Sequence, residues 1–146
     1  MGIREWLTGQ PSEPVLAEVT GVMLEGDELV AAVGEASYQD PLRRICGSTR
    51  WEDVRCEVLA ALVPEPTNEY DPNAVAVQVD GERVGYLSRG DALDYGPAVQ
   101  EFAARGKVIV CNARICGRGP GSDTANLGIF LHMPDPDAAL AEADGA

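Results

Sequence analysis

"EPTNEYDPNAVAVQVDGERVGYL", residues 65–87, sets a stretch rich in Pro, Asn and acids directly before an apolar run. The second half decides the fold. Val75, Val77 and Val79 alternate with Ala76 and Gln78, the period of a strand with one buried face. Asp80-Gly81 is the dipeptide of a two-residue hairpin turn. Residues 73–79 and 83–87 therefore read as two antiparallel strands. In the first half Pro66 and Pro72 fix the path of a loop, and Asn68, Asp71 and Asn73 are placed to turn their side chains onto nearby backbone amides. Tyr70 stands among them, either covering the edge of the sheet or held out as a platform.

Further strands lie on both sides of this hairpin. Leu29–Ser37 is short and apolar, and Tyr38-Gln39-Asp40-Pro41 breaks it. Leu42–Cys46 is long enough for a helical turn that presents Arg43 and Arg44, and Val54–Val63 is a second strand. Ser88-x-x-Asp91 resembles a capping box with Asp in the usual place of Glu or Gln. A short helix from there should stop near Gly96, with Pro97 opening another that runs to Ala104 and ends at Gly106. Lys107–Ile115 is a fifth strand, residues 116–126 a Gly-rich loop, and Leu127–Met133 a sixth strand. The pattern predicts a mainly β (α+β) chain: a small six-stranded antiparallel barrel or curled sheet with one or two short helices.

At 146 residues, with 45% hydrophobic and 24% charged residues, the composition is that of one folded domain. No apolar run approaches the roughly 20 residues that a membrane-spanning helix needs. The start, Met1-Gly2-Ile3-Arg4-Glu5-Trp6, lacks the basic and apolar regions of a secretory signal, which leads to the expectation of a cytoplasmic protein. The net charge of −13 is unusual for a nucleic-acid-binding surface, but it is unevenly placed. Residues 1–28 carry one Arg against six acids and residues 134–146 carry four acids and no base, while the middle has ten bases and fourteen acids. The expected organisation is an acidic arm or linker over 1–28, a domain over 29–133 and an acidic tail over 134–146. Trp6, Leu7 and the apolar residues between Val15 and Leu24 offer the arm something to dock with.

Cys46 and Cys56 are too far apart for one half of a zinc knuckle, and Cys111 and Cys116 stand alone as a close pair. On a regular strand the latter two point to opposite faces, so buried reduced thiols are the expected state. Zinc binding would need a loop break between Cys111 and Cys116, and no metal or other cofactor is expected. His132 is the single histidine, set in an apolar strand with no evident nucleophile to pair with. Glu65, Glu69, Asp71 and Asp80 are already explained by turns, and there is no GxxxxGK[ST] phosphate loop. The chain reads as non-enzymatic.

"VPEPTNEYDPNAVAVQVDGERVGYLSR" followed by a helix, with "VAAVGEASYQDPLRRI" upstream and "KVIVCNARICG" downstream, resembles the HIRAN domain over about residues 29–133. That resemblance implies a small β-barrel of OB-like or SH3-like character. It also implies recognition of single-stranded DNA, in some members at a free 3′ end, in DNA repair or replication and beside helicases or nucleases. Carried onto this chain, it points to Tyr38, Tyr70, Asp71, Tyr86 and Arg89 as the nucleic-acid-binding residues. Asp71 would accept a terminal hydroxyl, Tyr70 would stack on a base, and Arg89 near a helix start would meet phosphate. For Tyr86 the other reading is core packing with its hydroxyl at the rim.

Where the DNA-binding members have a basic and a second aromatic residue before the position of Tyr38, this chain has Ala36 and Ser37, and near residues 116–119 it offers only Arg118. Arg43, Arg44 and Arg118 are further candidate phosphate contacts. Arg43, Arg44, Arg50 and Arg55 around Trp51 would suit a clamped strand, or equally a solvated loop paired with Glu52, Asp53 and Glu57. The alternative function is a protein-interaction barrel that has lost DNA affinity, which the net acidity favours. The acidic ends would then screen the barrel surface or compete for it.

Overall fold

The computed structural model describes residues 20–47, 54–117 and 126–145. Its organising element is the hairpin of β4 (Val75–Val79) and β5 (Glu82–Leu87). Asp80 and Gly81 both take positive φ, 53° and 81°, the geometry that lets a two-residue turn follow the right-handed twist of its strands. Val75, Val77 and Val79 point into the core as their alternation requires.

One irregularity in the hairpin matters later. Val77 faces Gly85 and Gln78 faces Arg83, which leaves Val84 as an extra residue on β5. A bulge of this kind shifts the side-chain alternation by one. Arg83 and Tyr86, three apart and on opposite faces of a regular strand, therefore both lie outside, opposite Gln78 and Ala76.

The remaining strands close a barrel around the core. They are β2 (Glu28–Val33), β3 (Val54–Pro64), β6 (Lys107–Gly117) and β7 (Gly128–Met133), in the order β6-β3-β4-β5-β2-β7, with β7 returning to β6. All six pair antiparallel. Closure removes free edges. Inside it Leu62, Ile109, Ile115, Ile129, Leu131 and Met133 are fully buried with the valines of β4.

A seventh strand, β1 (Thr20–Leu24), comes from the segment expected to be an arm and pairs parallel with the first half of β6, from Thr20 opposite Lys107 to Leu24 opposite Cys111. Leu24 is buried in the core, and its burial rather than any local period makes the strand. The turn that follows passes so close to the end of β7 that a Cβ on Gly26 would lie 2.2 Å from the Pro134 nitrogen.

Three helices complete the described residues. A 3-10 turn, Glu35–Tyr38, leads into α1 (Gln39–Cys46), which absorbs Pro41 in its first turn. The two helices expected around Gly96-Pro97 are one, α2 (Arg89–Ala104). Pro97 costs it one hydrogen bond, to Leu93 on the solvent side, while Ala92, Tyr95, Ala98, Val99 and Phe102 are buried along a single face. That burial outweighs the loss. Ser88 Oγ accepts from the Asp91 amide at 3.1 Å and caps the start. In the acidic tail α3 (Pro136–Gly145) packs Ala139 and Ala143 against α2, the Tyr95 hydroxyl donates to Pro134 O at 2.7 Å, and Arg105 donates to Ala143 O.

The expectation of four reduced thiols is corrected for two of them. Cys46 at the end of α1 and Cys56 on β3 form a disulfide, brought together by a return of the chain that their spacing does not reveal. Cys111 is a buried free thiol, pushed up to about 12 by burial, and Cys116 is half-buried. Among the described residues no cluster of His, Cys, Asp and Glu could hold a metal ion, and no helix is long and apolar enough to cross a membrane.

Thiol titration of the unreduced, denatured protein should find Cys111 and Cys116 alone, and all four cysteines after reduction. Reduction should cost about 3 kcal/mol of stability, the closure entropy of so short a loop. Four reactive thiols before reduction would contradict the disulfide.

Candidate nucleic-acid interface

The loop between β3 and β4 is rigid because its own side chains bond it. Asn68 Oδ1 accepts from the amides of Tyr70 at 2.8 Å and Asp71 at 3.0 Å, and Asp71 Oδ1 accepts from the Asn73 amide at 2.9 Å. Backbone bonds from Glu65 N to Ala74 O, Asn68 N to Glu65 O and Ala74 N to Asp71 O close it. These are the Asx turns that its composition predicts. Tyr70 does not cover the barrel edge: the residue is 82% exposed on the loop.

Tyr70, Asp71 and Asn73 share a shallow recess of about 190 Å³ with Arg89 and Leu93 from the start of α2. One Asp71 oxygen is engaged by the Asn73 amide, and among the described residues the other has no protein partner. Arg89 likewise forms no ion pair among the described residues, and it stands in the first turn of α2, where unpaired amides add positive potential. The recess thus offers a ring, a carboxylate oxygen and a cation.

A second group of side chains lies on the outer face of the hairpin. Glu65 Oε1 accepts from the Tyr86 hydroxyl at 2.9 Å and from Asn68 Nδ2 at 3.0 Å, and Glu65 Oε2 lies 3.6 Å from Arg83 Nε. Arg83 Nη1 donates to the Tyr86 hydroxyl at 2.8 Å, with its guanidinium 5.6 Å from the ring centre. Burial works against the Arg83 charge, but Glu65, Tyr86 and Tyr38 more than offset it and hold the pKa above the ordinary arginine value. Tyr86 is pushed up to about 12, first by burial and then by the Glu65 carboxylate. Tyr38 reaches this group from the 3-10 turn, which Gln39 pins to the residue before β7 by donating to Leu127 O at 3.0 Å and accepting from Leu127 N at 2.7 Å.

The five residues singled out from the sequence fall into two groups, Tyr70, Asp71 and Arg89 at the recess and Tyr38 and Tyr86 on the hairpin face. Asn68 and Glu65 join the two through an unbroken line of hydrogen bonds. Tyr86 takes neither of its expected roles alone, since its ring packs on an outer apolar cluster while its hydroxyl serves Glu65.

Sequence reasoning missed Arg83, whose three-residue separation from Tyr86 hides their shared face, and Gly85 inside a strand was the one hint of a bulge. Arg44 is ion-paired with Glu82, at the opposite end of β5 from the recess. Arg43 is half-buried on α1, Ala36 and Ser37 are exposed in the 3-10 turn, and Arg50, Trp51 and Arg118 lie outside the described residues.

A HIRAN domain family model matches residues 42–126. Among solved structures, the crystal structure of the HIRAN domain of human HLTF aligns with 81% of this chain and 85% of that one, at 18% identity and a TM-score of 0.40. No match is found among curated proteins.

The Tyr86 hydroxyl gives this network a signature. Its folded pKa of about 12 lies above the ordinary tyrosine value, so its contribution to stability is complete below about pH 10 and is lost as pH rises from there through about 12. Tyr86→Phe should remove one phenol from the late phase of a spectrophotometric titration, shared with Tyr95, which is also pushed up to about 12 by burial. The same variant should soften the alkaline loss of stability, and an unchanged profile would mean that neither burial nor Glu65 raises the pKa of the Tyr86 hydroxyl.

Proposed function

This chain belongs to the HIRAN domain family, and from that membership we propose that it is a nucleic-acid-binding module that engages single-stranded DNA, with preference for a free 3′ end, in DNA repair or replication. The observation that carries the reading is the recess in which an exposed, rigidly mounted Tyr70 stands beside Asp71 and Arg89. A base stacked on Tyr70 gains about 1–3 kcal/mol without regard to its identity. Arg89 and the start of α2 suit a phosphate. Asp71 sets the polarity, because a carboxylate repels an internal phosphate and accepts from a hydroxyl, which a strand offers at its end.

The proposed role is holding rather than catalysis, on its own or in the service of a helicase or nuclease, in the cytoplasm. His132 supports this reading by its place: it sits half-buried on β7 between Leu29 and Asn112 and does not line the recess. A second reading, a protein-binding barrel, is favoured by the groove of about 950 Å³ that Pro64, Pro66, Pro97 and Leu140 line along α2, which carries no cation.

Fluorescence anisotropy at low salt, with a short single strand ending in a 3′-hydroxyl, the same strand ending in a 3′-phosphate, and a blunt duplex, separates the two. The hydroxyl strand should bind most tightly, and Tyr70→Ala should weaken it about 5- to 150-fold, the worth of one stacked base. Asp71→Asn retains the acceptor for the Asn73 amide and should narrow the difference between hydroxyl and phosphate ends. No binding to any of the three would overturn the nucleic-acid reading in favour of a protein partner.

A further inference from the structure

The 3-10 turn and α1, residues 35–46, form a separable unit. They are bounded by Gly34 and Gly47, both at positive φ, 76° and 63°. A Cβ on either would meet nothing within 4 Å, so backbone conformation rather than crowding calls for glycine at these two joints. An eight-residue helix is shorter than the roughly 12 to 15 residues that persist alone in water, so α1 depends on what fastens it.

At its first turn Gln39 bonds Leu127 in both directions, and at its centre Leu42 is fully buried. At its last turn Ile45 packs on the core only partly buried, and Arg44 meets Glu82 in an exposed ion pair, which contributes little. The strong hold at that end is the bond from Cys46 to Cys56 of β3. Both cysteines are half-buried, within reach of a reagent. Neither free thiol can replace them: Cys111 is buried, and Cys116, opposite Arg55, lies on the other face of the sheet from Cys56.

The other end of the unit bears on the candidate interface. Tyr38 caps the start of α1, and its side chain shares a hydrogen bond with Arg83, the cation of the hairpin face. Helix formation is cooperative, and a two-turn helix that loses one turn keeps too few bonds to hold the other. Release at Cys46 is therefore felt at Tyr38. In a reducing compartment such as the cytoplasm, a disulfide is ordinarily transient or redox-sensing.

We propose that the Cys46–Cys56 pair is a redox latch: the disulfide seats α1 and Tyr38 beside Arg83, and its reduction unwinds α1, withdraws Tyr38 and weakens the hold on a strand. A dithiol reductant attacks one sulfur to form a mixed disulfide and then closes on itself. Two electrons and two protons pass to Cys46 and Cys56, and the reductant leaves as its own disulfide. The unwinding stands on the geometry of α1, whereas its effect on a strand rests on the reading of the recess as a nucleic-acid site.

Carbon chemical shifts of the full chain, oxidised and after addition of a dithiol, test the latch. The Cα shifts of residues 40–46 should be helical in the oxidised protein and fall to coil values on reduction, while those of β4 and β6 stay in place. Cys46→Ser with Cys56→Ser should give coil values with or without the dithiol. Helical shifts retained after reduction would overturn the proposal, and the wild-type comparison decides the matter if the variant does not fold. In anisotropy with the 3′-hydroxyl strand, reduction should weaken binding about 5-fold or more, the low end for one aromatic contact. Equal affinity in both states would overturn the regulatory step. Failure of the oxidised protein to bind any strand would instead overturn the nucleic-acid reading, with the shifts still deciding the latch.

Discussion

Glu65 leaves β3 with one carboxylate that three other side chains use: the Asn68 amide, the Tyr86 hydroxyl and the Arg83 guanidinium. The candidate interface depends on this junction. Through Asn68 it fixes the loop that carries Tyr70 and Asp71, and through Tyr86 and Arg83 it fixes that loop to the hairpin. Each donor satisfies a lone pair of the carboxylate that water would otherwise occupy. Loss of the carboxylate would leave the Tyr86 hydroxyl and the Asn68 amide short of a partner together, and the loop would then be held by its own turns alone.

What was legible in the sequence was what neighbouring residues decide. Val75, Val77 and Val79, the Asp80-Gly81 turn and the Asx-forming Asn68 and Asp71 each act within a few positions of themselves, and the structure places them as their chemistry requires. The six-stranded closed barrel followed from strands read in this way. The features that escaped are those settled by distant partners. Pro97 lies inside α2 because Tyr95, Ala98 and Phe102 have a core to fill. Thr20–Leu24 is a strand because Leu24 reaches that core beside Cys111. Cys46 and Cys56 are joined because α1 returns to the start of β3. At the site, the bulge at Val84 brought Arg83 onto the face of Tyr86, and no spacing rule would have paired them.

The charge distribution takes on a structural meaning as well. Much of the acidity of the two ends belongs to segments that pack: Glu25, Asp27 and Glu28 lie between or on β1 and β2, and Asp137, Glu142 and Asp144 lie on α3. These segments cannot be trimmed as loose tails without taking Leu24 or Ala139 and Ala143 out of the core. Against this acidic background Arg89 stands without an ion pair among the described residues, whereas Arg44, Arg83, Arg105 and Arg114 are each matched to a carboxylate. An unmatched cation beside an exposed ring is what a phosphate-bearing ligand would use.

The central claim is that the Tyr70–Asp71–Arg89 recess is where this protein meets its ligand. Amide chemical-shift mapping with a short single strand added to the full chain tests that most directly. The account predicts shifts concentrated in residues 65–74 and 88–93, with the rest of the barrel wall unmoved. Shifts confined to residues 96–104 and Leu140, the part of the α2 groove away from the recess, or no shifts at saturating strand, would contradict it.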